Sequence, residues 1–486
     1  MRTLCVTFAI LGVSAFAAPN DLRVVDAARD QNGAALRALL KQKVDVNTPD
    51  VEGMTPLIWA AHNDDLDAVK LLLAAGANAK AANRYDVTAL AEAAKCGDGA
   101  MIEALVKAGV DVNTAFGEGE TPLMTASRTG SAMGVKAMLA AGADVNAISK
   151  DRGETALMFA AAENHADVAK LLVAAGAKVD VRSTLFDFNF RKVATGGTQA
   201  LYSRGGLTAL LLAARQGSIE TTQVLLDGGA DINKPEGDYG LTPLLEAIFN
   251  DHYDLAAFLV EHKASLKEGA LYLTVEMRDI DYQGNRPRKA VTGKLDELGF
   301  VNYLLSHGAD PNGPMTVRIP PRAAQSAAVI PHGYTPFLRA ARSGDVETMK
   351  LLVAHGADPN KAADDHNTPI IVAGAGMGAR FAGGEDKPES DFLDCMKLLV
   401  ENGANVNAVN DRGDTALHGA AGRGADTLIQ FLADHGAKMD IKNKQGRTAY
   451  EVALGIGGLQ QNGIARPTTA ALIQKLAAKA SPSASN

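Results

Sequence analysis

Threonine recurs through this chain at a regular interval, followed each time by proline or alanine and then by an apolar residue. Thr55, Thr88 and Thr121 lie 33 residues apart. The same triplet begins at Thr155, Thr208, Thr242, Thr335, Thr368, Thr415 and Thr448. A fixed period of this length indicates stacked supersecondary units rather than one domain with a closed core. Such a stack offers an extended surface, so we expect a binding partner before a reaction.

Residues 54–86 show why each unit is predicted to contain two short helices. Thr55 is a suitable N-cap, and Pro56 fits the first helical position, where a missing N–H costs nothing. Two runs with apolar residues at helical spacing follow, separated by a polar turn at residues 63–65. Gly76 ends the second helix, and a polar segment returns the chain to the next threonine.

The other end of the unit recurs as well, for example as Gly142-Ala143-Asp144-Val145-Asn146. Together the two signatures resemble the ankyrin repeat, a hairpin-like finger followed by two antiparallel helices. The family's Thr-Pro-Leu-His sequence is nearly intact only at residues 415–418, which read Thr-Ala-Leu-His. The resemblance covers essentially all of residues 18–480. It implies an all-α solenoid of about twelve helix pairs, with a first repeat over 21–53 and a last one over 447–480.

The beginning of the chain predicts export. Arg2 is followed by an apolar run over residues 4–16, and Ala15-Phe16-Ala17 fits a cleavage site, so residues 1–17 are predicted to be a signal peptide. An uncleaved anchor or a buried first helix is the alternative. The run is too short to span a membrane. We therefore expect a periplasmic or secreted protein, with a disordered polar tail over residues 481–486.

Four insertions interrupt the period, near residues 183–205, 281–294, 313–332 and 376–391. The first and third extend the finger side, and the other two fall between paired helices. Long loops on a rigid scaffold often carry function. In the first insertion Phe186, Phe188 and Phe190 share one face of an extended segment and precede Arg191 and Lys192. This predicts a binding flap; the alternative is a strand that packs its rings on the solenoid.

A row of cations follows the first helices. In the ankyrin family, the residue after the paired small residues of the first helix points toward the concave groove. Here that position and its neighbour hold Arg29, His62, Lys95, Arg128, Arg215, Arg342 and, one place further on, Arg423. We expect the row to bind the acidic surface of another protein. The alternatives are a polyanionic carbohydrate or small ligand in the same groove, and solvated charges without a role.

The sequence contains none of the motifs that would indicate catalysis, such as a Gly-rich phosphate loop, His-Glu-x-x-His, Cys-x-x-Cys or a nucleophile elbow. We therefore expect a non-catalytic monomer without metal or cofactor. Cys96 and the cluster at residues 364–366, Asp-Asp-His, are the residual candidates for chemistry. Cys96 and Cys395 are too many repeats apart to form a disulfide. The modest net charge of −8 argues against a nucleic-acid partner.

Overall fold

The computed structural model describes residues 21–117, 119–185, 205–237, 239–280, 293–317, 333–376, 387–456 and 465–480. Within these ranges the chain forms α-helices joined by loops and contains no β-strand. Two compact units are distinguished, residues 1–151 with 174–176, and residues 152–173 with 177–486. Among the described residues, every helix is too short or too polar to cross a bilayer.

The first unit consists of four helix pairs. They are α1 (Arg23–Arg29) with α2 (Gly33–Lys41), α3 (Pro56–His62) with α4 (Leu66–Ala74), α5 (Ala89–Cys96) with α6 (Gly99–Lys107), and α7 (Pro122–Thr129) with α8 (Ala132–Ala140). The first helices pack against one another in chain order, α1 on α3, α3 on α5 and α5 on α7. Their small residues make this close stacking possible, because Ala60, Ala61, Ala93 and Ala94 are completely buried.

The second unit continues the same pattern over eight pairs. They are α9 (Ala156–Ala162) with α10 (Ala166–Ala174, the last residue assigned to the first unit), α11 (Ala209–Gln216) with α12 (Ile219–Asp227), α13 (Pro243–Phe249) with α14 (Tyr253–Glu261), α15 (Ala270–Ile280) with α16 (Glu297–Ser306), α17 (Pro336–Ser343) with α18 (Val346–Ala354), α19 (Pro369–Ala375) with α20 (Glu389–Glu401), α21 (Ala416–Arg423) with α22 (Asp426–Asp434), and α23 (Ala449–Ala453) with α24 (Pro467–Ala480). The expected all-α fold of about twelve helix pairs is confirmed among the described residues.

Most of the recurring threonines cap the first helices as the sequence predicts, whereas the Thr368 hydroxyl makes no such bond. Thr55 Oγ1 accepts a hydrogen bond from Ile58 N at 3.3 Å, and Thr208 and Thr335 make the equivalent bond. At residues 415–418, where the family's Thr-Pro-Leu-His sequence is nearly intact, His418 Nδ1 accepts a hydrogen bond from Thr415 N at 3.1 Å. This bond adds the reciprocal half of a capping box. The period therefore fixes where each first helix begins.

A ladder of asparagines joins successive repeats on the finger side. Asn360 Nδ2 donates to Gly403 O at 2.9 Å, and its Oδ1 accepts from Asn405 N at 2.9 Å. Asn312 makes the same two bonds to Gly356 and Asp358, at 3.0 and 2.8 Å. Residues 318–332 lie between these partners in the chain, so the insertion leaves the bonding between neighbouring repeats intact.

One repeat lacks its finger, which the threonine period alone did not reveal. Only four residues separate Ala264, at the end of one repeat, from Gly269, which precedes α15. The start of the third insertion lies across this gap. Thr316 N donates to Glu268 O at 3.5 Å, and a Cβ at Gly269 would lie 2.5 Å from the Met315 sulfur. A cavity of about 250 Å³ lined by Leu266, Leu271 and Ala309 remains beside it.

Arg278, near the end of α15, ties this irregular repeat to the next one. Its Nε donates to Asp345 Oδ2 at 2.7 Å, and its Nη2 donates to Glu347 at 3.1 Å. Asp345 also caps α18 by accepting from Thr348 N and Oγ1. Burial raises the pKa of the Asp345 carboxyl, but the hydrogen bonds from Thr348 and the Arg278 guanidinium outweigh burial and hold it below its usual value.

Backbone hydrogen bonds hold the described ends of the first and second insertions. Ser183 N donates to Leu207 O at 2.8 Å, so the chain returns to the finger base across residues 186–204. Lys294 N donates to Asp254, which anchors the end of the second insertion beside α14. At the fourth predicted insertion, near residues 376–391, α20 begins at Glu389.

Candidate interaction surface

The predicted cations of the inner row lie seven residues after the N-cap residue of their first helices, which we call the row position. It holds Arg29, His62, Lys95 and Arg128 in the first unit, and Arg215 and Arg342 in the second. Ala162, Phe249 and Ala375 occupy it elsewhere, as the sequence indicates. Arg423 comes eight residues after Thr415, and Gly422 holds the row position there.

Glu92 contacts two row residues of the first unit. It lies on α5 and its side chain is only 7% exposed. Its Oε1 is 2.8 Å from Lys95 Nζ, and its Oε2 is 3.1 Å from His62 Nδ1. His62 belongs to the preceding repeat, so the carboxylate connects α3 to α5. The Glu92 carboxylate is almost buried, so its stability in this position depends on both contacts.

The remaining row cations of the first unit also meet carboxylates. Arg29 Nη2 lies 2.8 Å from Asp26 on the same helix, and its Nε lies 3.1 Å from Asp30. Arg128 Nη2 donates to Glu120 Oε2 at 2.9 Å, from the finger that precedes α7. All three arginine and lysine side chains of the row in this unit are therefore members of ion pairs, and the row is much less positive than these residues suggest.

In the second unit, Arg215 pairs with a nearly buried glutamate. Its Nε donates to Glu246 Oε1 at 2.6 Å, and the Glu246 side chain is 4% exposed. Glu246 lies on α13, in the next repeat, and also accepts from Asn250 Nδ2 at 3.4 Å. The guanidinium thus satisfies a carboxylate that has little access to water.

One geometric rule describes three of the pairs that cross between repeats. His62 with Glu92, and Arg215 with Glu246, each join the row position to the residue four after the next N-cap, which we call the pairing position. Glu276 and Arg339 obey the same rule with the charges exchanged, because Gly269 precedes α15 and Thr335 caps α17. The Arg339 Nε donates to Glu276 Oε2. The rule therefore depends on the backbone register and not on which partner is the cation.

The last two predicted row residues differ from the others. Arg342 is half-buried and makes no ion pair among the residues that the structure describes. Arg423 lies with its guanidinium carbon 4.3 Å from the centre of the Phe392 ring, a cation–π contact within its unit. A Cβ at Gly376 would collide with Arg423 Nη1, so the side chain packs against the end of α19.

Exposed apolar side chains concentrate on the fingers. Val51 is 88% exposed and Tyr85 is 60% exposed, on successive fingers of the first unit. Ile148, Leu185 and Val409 are further exposed apolar residues on fingers. The Arg84 guanidinium carbon lies 4.9 Å from the centre of the Tyr85 ring, and Arg84 pairs with Glu52 of the preceding finger. These tips combine aromatic, apolar and arginine side chains, the types enriched in the centres of protein interfaces.

The predicted aromatic flap lies outside the described residues. This applies to Phe186, Phe188, Phe190, Arg191 and Lys192. The described part of that insertion ends at Leu185, which is 52% exposed. The flap stays a prediction, as does its alternative of a strand packed on the solenoid.

The residual candidates for chemistry have structural surroundings. The Cys96 thiol donates to Ala61 O at 3.6 Å, and burial, followed by the charges of Asp64 and Glu92, raises its pKa. Burial raises the pKa of the Cys395 thiol to about 12. Both thiols therefore carry less thiolate at neutral pH than free cysteine does.

At the predicted acid–histidine cluster, His366 Nδ1 lies 2.9 Å from Asp411 Oδ1 on the next finger. Both side chains are exposed. Within the described ranges, no group of three or more His, Cys, Asp or Glu side chains is arranged to hold a metal ion.

The sequence also contains a pattern that indicates the counter-ions of the row. Glu92 and Glu246 both lie four residues after a capping threonine, at the same offset in their repeats. Residues at offsets four and seven share one helix face, and closely stacked helices bring that face against the next repeat. A comparison of the two offsets would have predicted that His62 and Arg215 contact these carboxylates.

Comparisons with known proteins agree with this architecture. The sequence matches the family described as "Ankyrin repeats (3 copies)" over residues 24–116, 108–183, 191–269 and 389–459. It also matches the single "Ankyrin repeat" over residues 332–364 and 365–411. These matches cover well over half of the chain, including the first residues of the irregular repeat.

Curated relatives come from distant organisms and match parts of the chain. Ankyrin repeat and SOCS box protein 11 from Homo sapiens is 30% identical over 146 residues, 29% of this chain and 40% of that protein. A putative ankyrin repeat-containing protein from Treponema pallidum is 33% identical over 132 residues, 27% of this chain and 40% of that protein. A putative ankyrin repeat protein from Acanthamoeba polyphaga mimivirus is 31% identical over 129 residues, with 22% of its length matched. The chain thus spans two fifths or less of each of these relatives.

Proposed function

Since this chain belongs to the ankyrin-repeat family, whose repeats generally mediate protein–protein interactions, we propose that it is a non-catalytic scaffold that binds another protein. The contact surface in this proposal is the finger tips together with the inner row of the first helices. Export to the periplasm or beyond is part of the proposal. It is supported by the charged start, apolar run and cleavage sequence of residues 1–17.

The distribution of exposed apolar side chains carries this proposal. Five of the nine large hydrophobic residues exposed in the described part of the chain are on fingers. Single exposed apolar residues are common on protein surfaces. Here, however, Val51 and Tyr85 lie on successive fingers that are joined by the Arg84–Glu52 ion pair. A rigid set of tips of this kind offers a partner apolar anchors surrounded by charge.

Protein is favoured over a polyanionic carbohydrate because of the ion pairs. A polyanion gains affinity by neutralising cations and releasing counter-ions, so it needs a surface with many uncompensated positive charges. Arg29, Lys95 and Arg128 of the first unit already lie within 2.9 Å of a carboxylate. The raised pKa of the Cys96 thiol supports the non-catalytic part of the proposal.

The experiment is capture followed by quantitative binding. The mature chain, immobilised, is exposed to an envelope extract, and the retained protein is identified, purified and titrated by biolayer interferometry. The Tyr85→Ser variant is expected to weaken binding about tenfold or more, as truncation of an aromatic anchor does. Met133→Ser is the matched control, because Met133 is 70% exposed on the second helix α8. A Tyr85→Ser complex as tight as the wild type removes the finger tips from the proposal.

Two further arms address the flap and the location. Deletion of residues 186–204 tests whether the phenylalanine-bearing segment contributes to the same complex. N-terminal sequencing of protein from the envelope fraction is expected to begin near Ala18. A chain that retains Arg2 in a cytoplasmic fraction contradicts export.

A further inference from the structure

Arg342 is the exception to the charge compensation of the inner row. It is the last residue but one of α17, it is half-buried, and among the described residues it has no ion-pair partner. In the first unit every row cation has a carboxylate, and in the second unit Arg215 has Glu246. A half-buried cation without a counter-ion is electrostatically costly, since solvent screens it less than a fully exposed one.

The register between repeats explains why no carboxylate is present. By the rule that joins His62 to Glu92 and Arg215 to Glu246, Arg342 faces the pairing position of the next repeat. That residue is Val372, on α19, and it is 4% exposed. A valine therefore occupies the place where α5 and α13 supply Glu92 and Glu246. The boundary between α17 and α19, which we call this step, therefore combines the Arg342 cation with an apolar residue at the pairing position.

The preceding turn of α17 adds positive charge rather than removing it. Arg339 lies three residues before Arg342 on the same helix face, and Glu276 already pairs with it. Asp365, an acidic finger residue nearby in the chain, accepts from Asn367 through both carboxylate oxygens. Asp365 keeps its negative charge and, with Arg412, also acts on Tyr334. Of the two guanidiniums on α17, Arg339 has a carboxylate partner and Arg342 has none among the described residues.

Tyrosine hydroxyls complete the surroundings of this step. Tyr334, just before α17, and Tyr272, on α15, are both nearly buried. Burial raises the pKa of the Tyr334 hydroxyl, while the positive charges of Arg342 and Arg339 act in the opposite direction. Both tyrosines therefore stay neutral at physiological pH and keep a hydroxyl proton to donate.

We propose that Arg342 receives a carboxylate side chain, Asp or Glu, from the protein partner, because the pairing position of the next repeat holds the buried Val372 and supplies no counter-ion. The chain itself supplies the template: Glu246 on Arg215 is a carboxylate bound in the equivalent step, at 2.6 Å. A monoanion matches the single uncompensated charge, and the guanidinium fork fits a carboxylate well. This inference rests on the proposed function and names the chemistry of the partner.

The test uses fluorescein-labelled hexaglutamate as the probe, with labelled hexaglutamine as its uncharged counterpart, measured by fluorescence anisotropy at low ionic strength. Arg342→Gln is expected to weaken hexaglutamate binding about tenfold, the effect of losing a charge-assisted hydrogen bond. Lys350→Gln is the matched control, because Lys350 is exposed on α18 of the same repeat and loses the same charge. Val372→Glu is expected to weaken binding similarly, since the chain then supplies its own carboxylate.

Each outcome decides for or against the inference. Equal losses in Arg342→Gln and Lys350→Gln, or no binding of hexaglutamate by the wild type, overturn it. If Val372→Glu fails to fold, the Arg342→Gln and Lys350→Gln pair decides alone. An oligogalacturonate that binds more tightly than hexaglutamate, with the same dependence on Arg342, would assign the step to a carbohydrate and overturn the protein source.

Failure of this inference is distinguishable from failure of the proposed function. A captured protein partner whose affinity is unchanged by Arg342→Gln leaves the scaffold function standing and removes the carboxylate step. An extract that yields no partner removes the function, whatever the peptide titration shows.

Discussion

Gly419 and Gly422 lie three residues apart on α21, yet a methyl group added at each would meet very different surroundings. A Cβ at Gly419 would lie 2.6 Å from Ala375 N, 2.8 Å from Ala375 Cα and 2.9 Å from Gly374 C. All three are backbone atoms of α19, which no side-chain rotation can move. A Cβ at Gly422 would meet only the Val452 side chain, at 3.6 Å. The two glycines therefore separate helix propensity from interhelical packing.

The expected effects have opposite signs. Within a helix, Gly→Ala stabilises by about 0.5–1 kcal/mol because the unfolded chain loses less freedom. Gly422→Ala should show this gain, reduced somewhat because the residue is near the end of α21. Gly419→Ala should gain the same amount and lose about 3 kcal/mol from overpacking against rigid backbone. Its net effect is a destabilisation of about 2 kcal/mol.

Urea unfolding with two probes measures this. Far-ultraviolet circular dichroism reports all helices, whereas fluorescence reports Trp59, the single tryptophan, on α3. Repeats are coupled mainly to their neighbours. Gly419→Ala should therefore lower the urea midpoint of part of the dichroism signal and leave the Trp59 transition in place.

Two results for these variants would contradict the packing argument. Equal stabilisation by Gly419→Ala and Gly422→Ala would mean that α19 and α21 separate at little cost. A loss at Gly422 as large as that at Gly419 would mean that the distances to backbone do not determine the effect.

Two further predictions concern ionisation and backbone strain. The pKa of the Asp345 carboxyl is lowered in the folded chain. Its contribution to the free energy of unfolding is therefore present above the unfolded value of 3.8 and is lost as pH falls through the lower folded value. Arg278→Gln should lower the melting temperature at neutral pH and reduce this acid dependence in calorimetric scans. His366 has a φ of +58°, two residues before a capping threonine, where eight other repeats have glycine. His366→Gly should stabilise by about 1 kcal/mol in thermal unfolding, because the exposed pair with Asp411 contributes little; a destabilised variant would show that this pair matters more than the strain.

Much of the fold was predictable because it depends on backbone register. The capping threonines, the glycines that end second helices and the row position follow from offsets within one repeat. The compensation of the row was not predicted, because it depends on which side chain stands opposite in the next repeat. Arg215 and Arg342 occupy the same offset, but one meets Glu246 and the other Val372.

The missing finger was hidden for a related reason. The threonine is replaced by Gly269 in the irregular repeat, so the gap from Thr242 to Thr335 has no internal marker. Its loss is compensated by residues 313–317, which belong to a different finger. A pattern read along the chain cannot show a replacement that occurs through space.

The exchanged pair of Glu276 and Arg339 limits how such an array can change by duplication and recombination. Each member lies in a different repeat, so a copied repeat carries one half of the pair and leaves the other behind. A duplicate of residues 335–367 inserted after itself would bring a second Arg339 against Arg342 in place of Val372. Two cations would then face each other between stacked helices. Duplication of this repeat would therefore need a compensating substitution at the boundary between the two copies.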